Sequence, residues 1–166
     1  MIDETKASNW QHLEELRTTS LTMQLSALNA ALNRHAAQKL RPSGLTLLEW
    51  RVLFVLDKIQ PTTSTLIAEV SMIDRGQLSR TIAKMQKNGL LEAEESETDL
   101  RMKLIKMTEA GRARHNIASG AMTARRDGIR DSLSEEQNAQ LLESVSAIIK
   151  HLNADYLLAE PSTLHR

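Results

Sequence analysis

Cysteine is absent from this chain of 166 residues. That removes disulfides, thiolate zinc sites, iron–sulfur clusters and cysteine-based redox sensing together. Aromatic residues are nearly absent as well: Trp10, Trp50, Phe54 and Tyr156 are all there are, which disfavours base stacking on an aromatic platform. No stretch approaches the roughly 18 unbroken apolar residues of a membrane span, and the opening Met1-Ile2-Asp3-Glu4-Thr5-Lys6 lacks a signal-peptide core, so the expected compartment is the cytoplasm. There is no excess of either charge, with 21 Lys and Arg against 21 Asp and Glu. A neutral total speaks against nucleic acid unless the charges are segregated along the chain. Enzyme chemistry has no foothold: there is no Gly-rich phosphate loop, no nucleophile elbow and no histidine beside a paired carboxylate. The five histidines (His12, His35, His115, His151, His165) include no pair at helical ligand spacing, so neither a metal nor another cofactor is expected.

What is present is helical periodicity. The length suits one domain able to bury a core without staples. From Trp10 to Leu40 the pattern predicts one long helix, with Leu21, Leu25, Leu28 and Leu32 on one face, broken by Pro42-Ser43-Gly44. So narrow a seam needs another helix or a second chain to cover it. Thr46 is expected to cap a helix running to Ile59. Its Leu48, Val52, Val55, Leu56 and Ile59 share one face and Trp50, Leu53 and Phe54 the other, as in a central helix buried from two sides. Thr62 or Thr63 caps a short helix to about Val70. Asp74, with Gln77 three residues on, opens another that stops at Gly89. After Gly89 the period changes. Leu91 and Ala93 alternate with Glu92 and Glu94, a polar tip follows at Ser96-Glu97-Thr98-Asp99, and Met102–Met107 returns, predicting a β-hairpin. Thr108 caps an alanine-rich helix to about Gly128. Ser134 and Gln137 box in a last helix whose Leu141, Val145, Ile148 and Leu152 repeat the first seam.

Two short helices across a tight Ser71-Met72-Ile73 connection have helix-turn-helix spacing, and the hairpin after them makes the motif winged. In the second helix Leu78, Ile82 and Met85 face inward, leaving Gly76, Gln77, Arg80, Ala83, Lys84 and Lys87 outside. Residues 75–88 hold four basic residues and no acidic one. The small Gly76 and Ala83 let the backbone approach a major groove, and Arg and Gln suit guanine and adenine edges.

The ordered set Ile67-Ala68-Glu69, Ile73-Asp74-Arg75-Gly76-Gln77-Leu78-Ser79-Arg80, Gly89-Leu90-Leu91, Asp99-Leu100-Arg101 and Met107-Thr108-Glu109-Ala110-Gly111 resembles the MarR family of winged-helix transcriptional regulators. The resemblance spans about Leu45 to Gly111, and the whole chain in helix layout. It implies a mainly α fold with a small β-hairpin wing. Residues 1–44 would form an N-terminal dimerisation helix, 45–111 the winged lobe, 112–157 the C-terminal dimerisation helices and 158–166 a frayed tail. It also implies a homodimer reading a pseudo-palindromic operator in double-stranded DNA, repressing and released by a small organic ligand such as an aromatic carboxylate or thioester. The alternative is a winged-helix protein-interaction module.

Carried over by position, Gln77, Ser79, Arg80 and Lys84 become DNA-facing; Arg75, Gly76 and Lys87 on the same helix are further candidate contacts, and Thr62 and Thr63 candidate N-cap phosphate contacts. Arg101 matches the minor-groove arginine of the wing, Asp99 its orienting carboxylate, and Lys103 follows on the return strand. The wing departs from the family in its acidity: Glu92, Glu94, Glu95 and Glu97 precede the tip and would repel phosphate. Arg34, His35, Trp50, Arg51 and Phe54 are candidate ligand-pocket residues. The competing readings are core packing for Trp50 and Phe54, interface packing for His35 and salt bridges for Arg34 and Arg51.

Overall fold

The computed structural model describes residues 13–95 and 103–152, and two compact units divide between Thr123 and Ala124. In the first unit helix α1 covers residues 13–19 and α2 Leu21–Leu40, followed by a single 3-10 turn, Arg41–Ser43. Next come α3 (Leu47–Lys58), β1 (Thr62–Thr63), α4 (Ser64–Ser71), α5 (Arg75–Lys87), β2 (Leu91–Glu95), β3 (Lys103–Met107) and α6 (Glu109–Arg130). The second unit holds the end of α6 and α7 (Glu135–Leu152). The fold is a winged helix-turn-helix, mostly helical with one three-stranded antiparallel sheet in the order β1-β3-β2.

The single long first helix is a correction. It breaks at Ser20, whose backbone is extended and whose hydroxyl caps α2 at the Met23 N–H. The cause lies in the hydroxyl run before it. Thr18 and Thr19 donate back to the carbonyls of Glu14 and Glu15, which loosens the helical ladder. The Gln24 side-chain amide then donates to the freed Arg17 carbonyl at 2.7 Å.

The core of this unit is built on α3, where Val52, Leu53, Val55 and Leu56 are buried along with Trp50. Against it pack Ile67 and Ala68 of α4, Leu78, Ile82 and Met85 of α5, Leu91, Ile105 and Met107 of the sheet, and Ala118 and Met122 of α6. The second apolar face expected of α3 is only half realised, because Phe54 is 45% exposed while Trp50 is buried. Thr62 and Thr63 pair with Ile105 and Leu104, a strand too short for periodicity to reveal. Gly111 sits where α6 passes the end of α5: a Cβ there would lie 2.2 Å from the Leu90 carbonyl oxygen. Only glycine permits that approach. Because His115, Ala118 and Met122 are buried too, the first half of α6 belongs with the winged lobe.

In the second unit Ser134 and Gln137 close the expected capping box, and Asn138 donates to the Arg130 carbonyl at 2.8 Å across the turn. None of α7 is buried.

Candidate nucleic-acid interface

Helix α4 ends in a Schellman motif. The N–H of Ile73 reaches the Ala68 carbonyl and that of Met72 the Glu69 carbonyl, with Met72 left-handed at φ 53 and the two buried residues Ile73 and Ala68 in the matching positions. This sharp stop lets Asp74 begin α5 at once, its carboxylate accepting the Gln77 N–H at 2.9 Å. Leu78, Ile82 and Met85 then fix the inner face of α5 in the core.

The remaining surface of α5 divides into three flanks. Gly76, Arg80 and Lys87 point away from the core and are exposed. One side flank, Arg75, Ser79, Ala83 and Gln86, lines a cleft of about 280 Å³ whose other walls are Ser64, Thr65, Ala93 and Lys103. The opposite flank carries Gln77 and Lys84 toward α3. There the Lys84 ammonium lies 3.0 Å from Glu49 Oε1, although Lys84 itself is 60% exposed and Glu49 only 5%.

Of the residues anticipated at this interface, Arg75, Gly76, Gln77, Ser79, Arg80 and Lys87 are thus exposed on α5, and Lys103 joins Arg75 and Ser79 in the cleft. Thr63 caps α4 through the Leu66 N–H. Thr62 is a correction, since it is buried in β1 and closed to a phosphate. Lys84 is outside as expected but already paired. Asp99 and Arg101 lie outside the described residues. Sequence reasoning missed Ser64, Thr65 and Gln86. Gln86 was within reach of it, falling three turns after Arg75 on the same flank; the two hydroxyls follow the cap Thr63 in the first turn of α4.

Register turns two of the wing's acids, Glu92 and Glu94, away from the cleft, while Glu97 lies outside the described residues. Glu92 pairs with Lys106 and Glu94 with Leu104. Both carboxylates lie on the sheet face opposite Ala93, Lys103 and Ile105, which line the cleft. Lys106 reaches Glu94 at 2.7 Å and Glu92 at 3.7 Å, and these two carboxylates raise its pKa above the ordinary lysine value. Glu95 is the exception: opposite Lys103, it shares the cleft-side face.

Two carboxylates brace α3. Burial opposes ionisation of Glu49, but the Thr46 N–H, 2.8 Å from Oε2, together with Lys84 and the Thr46 hydroxyl outweighs it and holds the group below its usual range. The Asp57 carboxyl is likewise lowered, by the Lys58 ammonium at 2.9 Å and, with lesser weight, by the nearby His115 and the Arg112 guanidinium.

The candidate ligand residues are not brought together as a group. Trp50 is buried and stacks face to face on His115, ring centroids 5.0 Å apart, while Phe54 lies 6.0 Å from Trp50. Arg34, His35 and Arg51 are exposed. Neither arginine is paired with a carboxylate among the described residues. Sequence reasoning missed His115, buried with no hydrogen-bond partner at either ring nitrogen and with Nδ1 3.8 Å from the Asp57 carboxylate.

Residues 43–102 match the sequence model of the MarR family. An uncharacterized HTH-type transcriptional regulator of Bacillus cereus is 28% identical over 120 residues, covering 72% of this chain and 80% of that one. Among solved structures, S. aureus MepR in complex with DNA superposes with a TM-score of 0.73 at 18% identity, covering 80% of this chain and 96% of that one. CouR of Rhodococcus jostii, bound to p-coumaroyl-CoA, gives 0.69 at 20% identity over 79% and 92% of the two chains. At those identities the two likenesses establish the fold.

Proposed function

We propose that this chain, whose residues 43–102 match the sequence model of the MarR family, is a transcriptional regulator of that family: a homodimeric repressor that binds a pseudo-palindromic DNA operator and is released by a small organic ligand. The observation that carries the reading is the surface of α5. Arg80 and Lys87 stand clear of the core beside Gly76, no acid lies between residues 75 and 88, and Arg75 and Lys103 put positive charge on both walls of the adjoining cleft. A recognition helix in a major groove and a wing in the neighbouring minor groove leave one phosphate strand between them, and the cleft has the hydroxyls of Ser64, Thr65 and Ser79 to meet it.

Support for the dimer comes from unpartnered apolar faces in each unit. Leu21 and Leu28 of α2, and Leu141, Leu142, Ile149 and Leu152 of α7, are exposed, as seams are when their covering chain is a second copy. Support for an aromatic thioester or carboxylate comes from CouR, seen with p-coumaroyl-CoA, and from the exposed Phe54 ring beside Trp50. The chain would act in the cytoplasm, where its operator is.

The test is Arg80→Ala. It is expected to weaken binding to DNA from upstream of the protein's own coding sequence by about 1 to 3 kcal/mol, with thermal unfolding unchanged because Arg80 touches none of the core. Equal affinity in the variant would remove Arg80 from the interface. Release of the wild-type complex by p-coumaroyl-CoA or by phenolic acids tests the ligand class.

A further inference from the structure

We propose that Lys84 is a positioning residue, a strut that fixes the rotation of α5 on α3 through Glu49, and that its charge is spent on that carboxylate rather than on a DNA phosphate. The proposal rests on the DNA-binding reading above and refines which cations of α5 serve it. Lys84 has the same residue type and helix as the cations that face outward, and sequence gives no reason to separate them. The structure does. Glu49 occupies the third position of α3, where its Oε2 accepts the Thr46 N–H at 2.8 Å and completes a capping box with the Thr46 hydroxyl. Its Oε1 is left facing α5, in a side chain only 5% exposed, and Lys84 Nζ is the cation that meets it at 3.0 Å.

That asymmetry decides the role. A nearly buried carboxylate has little water to fall back on, so withdrawing the ammonium strands a desolvated charge. A phosphate on the duplex surface remains hydrated and screened by its own counterions, and offers Lys84 less in exchange. The Lys84 side chain is therefore held at one end by its helix and at the other by the N-terminus of α3. The strut lies on the flank of α5 opposite the wing cleft. It resists rolling of α5 about its own axis, and so sets where Arg80 and Lys87 point. Among the described residues, the reading charges of each protomer reduce to Arg75, Arg80 and Lys87 on α5 and Lys103 on β3.

The salt dependence of DNA binding separates a strut from a contact, because its slope counts phosphates neutralised and is blind to packing. The probe is duplex DNA from upstream of the protein's own coding sequence, titrated with wild type, Lys84→Met, Glu49→Gln and Arg80→Met across a range of salt. Arg80→Met is expected to flatten the slope by about 0.9 per protomer. Lys84→Met should lower affinity about tenfold, the middle of what coupled neighbours are worth, and with the same slope as wild type. Glu49→Gln keeps the cap through its amide oxygen and frees the ammonium, so its slope should steepen. A merely structural contact gives no such gain. A Lys84→Met slope flattened as far as that of Arg80→Met, with Glu49→Gln unchanged, overturns the proposal. If wild type binds no DNA at all, the DNA-binding reading is what fails, and urea unfolding decides the strut by itself. In that case the Glu49→Gln/Lys84→Met double variant has a midpoint no lower than the worse single variant if the two groups act together. Strictly additive losses overturn it.

Discussion

Met72 and Gly89 hold the same place in two copies of one motif. Each follows the last turn of a helix in a left-handed conformation, φ 53 and φ 69. In each the next residue donates back five positions, Ile73 to Ala68 and Leu90 to Met85. Glycine adopts that backbone freely, whereas a residue with a Cβ carries strain of about 1 kcal/mol or more. Met72 is 83% exposed, so its side chain contributes little in return. Met72→Gly should therefore raise stability by about 1 kcal/mol, and Gly89→Ala, which meets nothing within 4 Å, should lower it by a similar amount. Urea unfolding of the two variants checks both signs. A loss on Met72→Gly would show that the side chain has a contact worth more than the strain. The contrast also marks what a sequence can say about a turn. Gly89 announces its stop, and Met72 gives no sign of the same geometry three residues before the basic helix begins.

At the scale of elements, α5 was the most legible part of the chain and its surroundings the least. The spacing of Leu78, Ile82 and Met85 places the inner face of the helix without any tertiary information, and the structure buries those three. Asp74, Thr46 and Ser134 likewise cap the helices they were expected to cap, because capping is decided within a few residues. What stayed hidden depends on distant partners. The Thr62–Thr63 strand exists only because β3 lies beside it. The acids Glu92 and Glu94 look repulsive in sequence, and register turns them toward Lys106. Nothing in the sequence singles out Glu49; its second partner shows only once α5 brings Lys84 to it.

That bracing has a pH signature. Glu49 titrates lower in the folded chain than in the unfolded one, so the unfolded state takes up its proton first as the solution is acidified. Its contribution to stability is present in full above the ordinary glutamate range and is lost as pH falls through the folded value. Asp57 acts in the same direction at the other end of α3. Glu49→Gln is therefore expected to be less stable than wild type near neutrality, with the gap narrowing as pH is lowered through the carboxylate range. A gap that stays constant with pH would mean that the carboxylate charge contributes nothing.

For the whole molecule, neutrality is a sum over segregated parts. Residues 75–88 are purely basic, and residues 92–99 hold five acids and no base. A protein arranged in this way concentrates its attraction for DNA on one helix. On the proposed reading a second copy of that helix would be needed to bind one site firmly, and the leucines left exposed on α2 and α7 are the surfaces proposed for that copy. Wild type is expected to sediment as a dimer at micromolar concentration. Leu28→Glu should raise the dimer dissociation constant about tenfold or more with helical content preserved, since Leu28 is half exposed within its own chain. A monomeric wild type would leave those faces without their proposed covering.

The most direct test of the account is a gel-shift competition with the intact protein, using a labelled duplex from upstream of its own coding sequence. A discrete complex containing two copies of the chain is expected, displaced by the same duplex unlabelled and held against an equal mass of unrelated DNA. Equal displacement by both competitors, or a complex with a single copy, would contradict it.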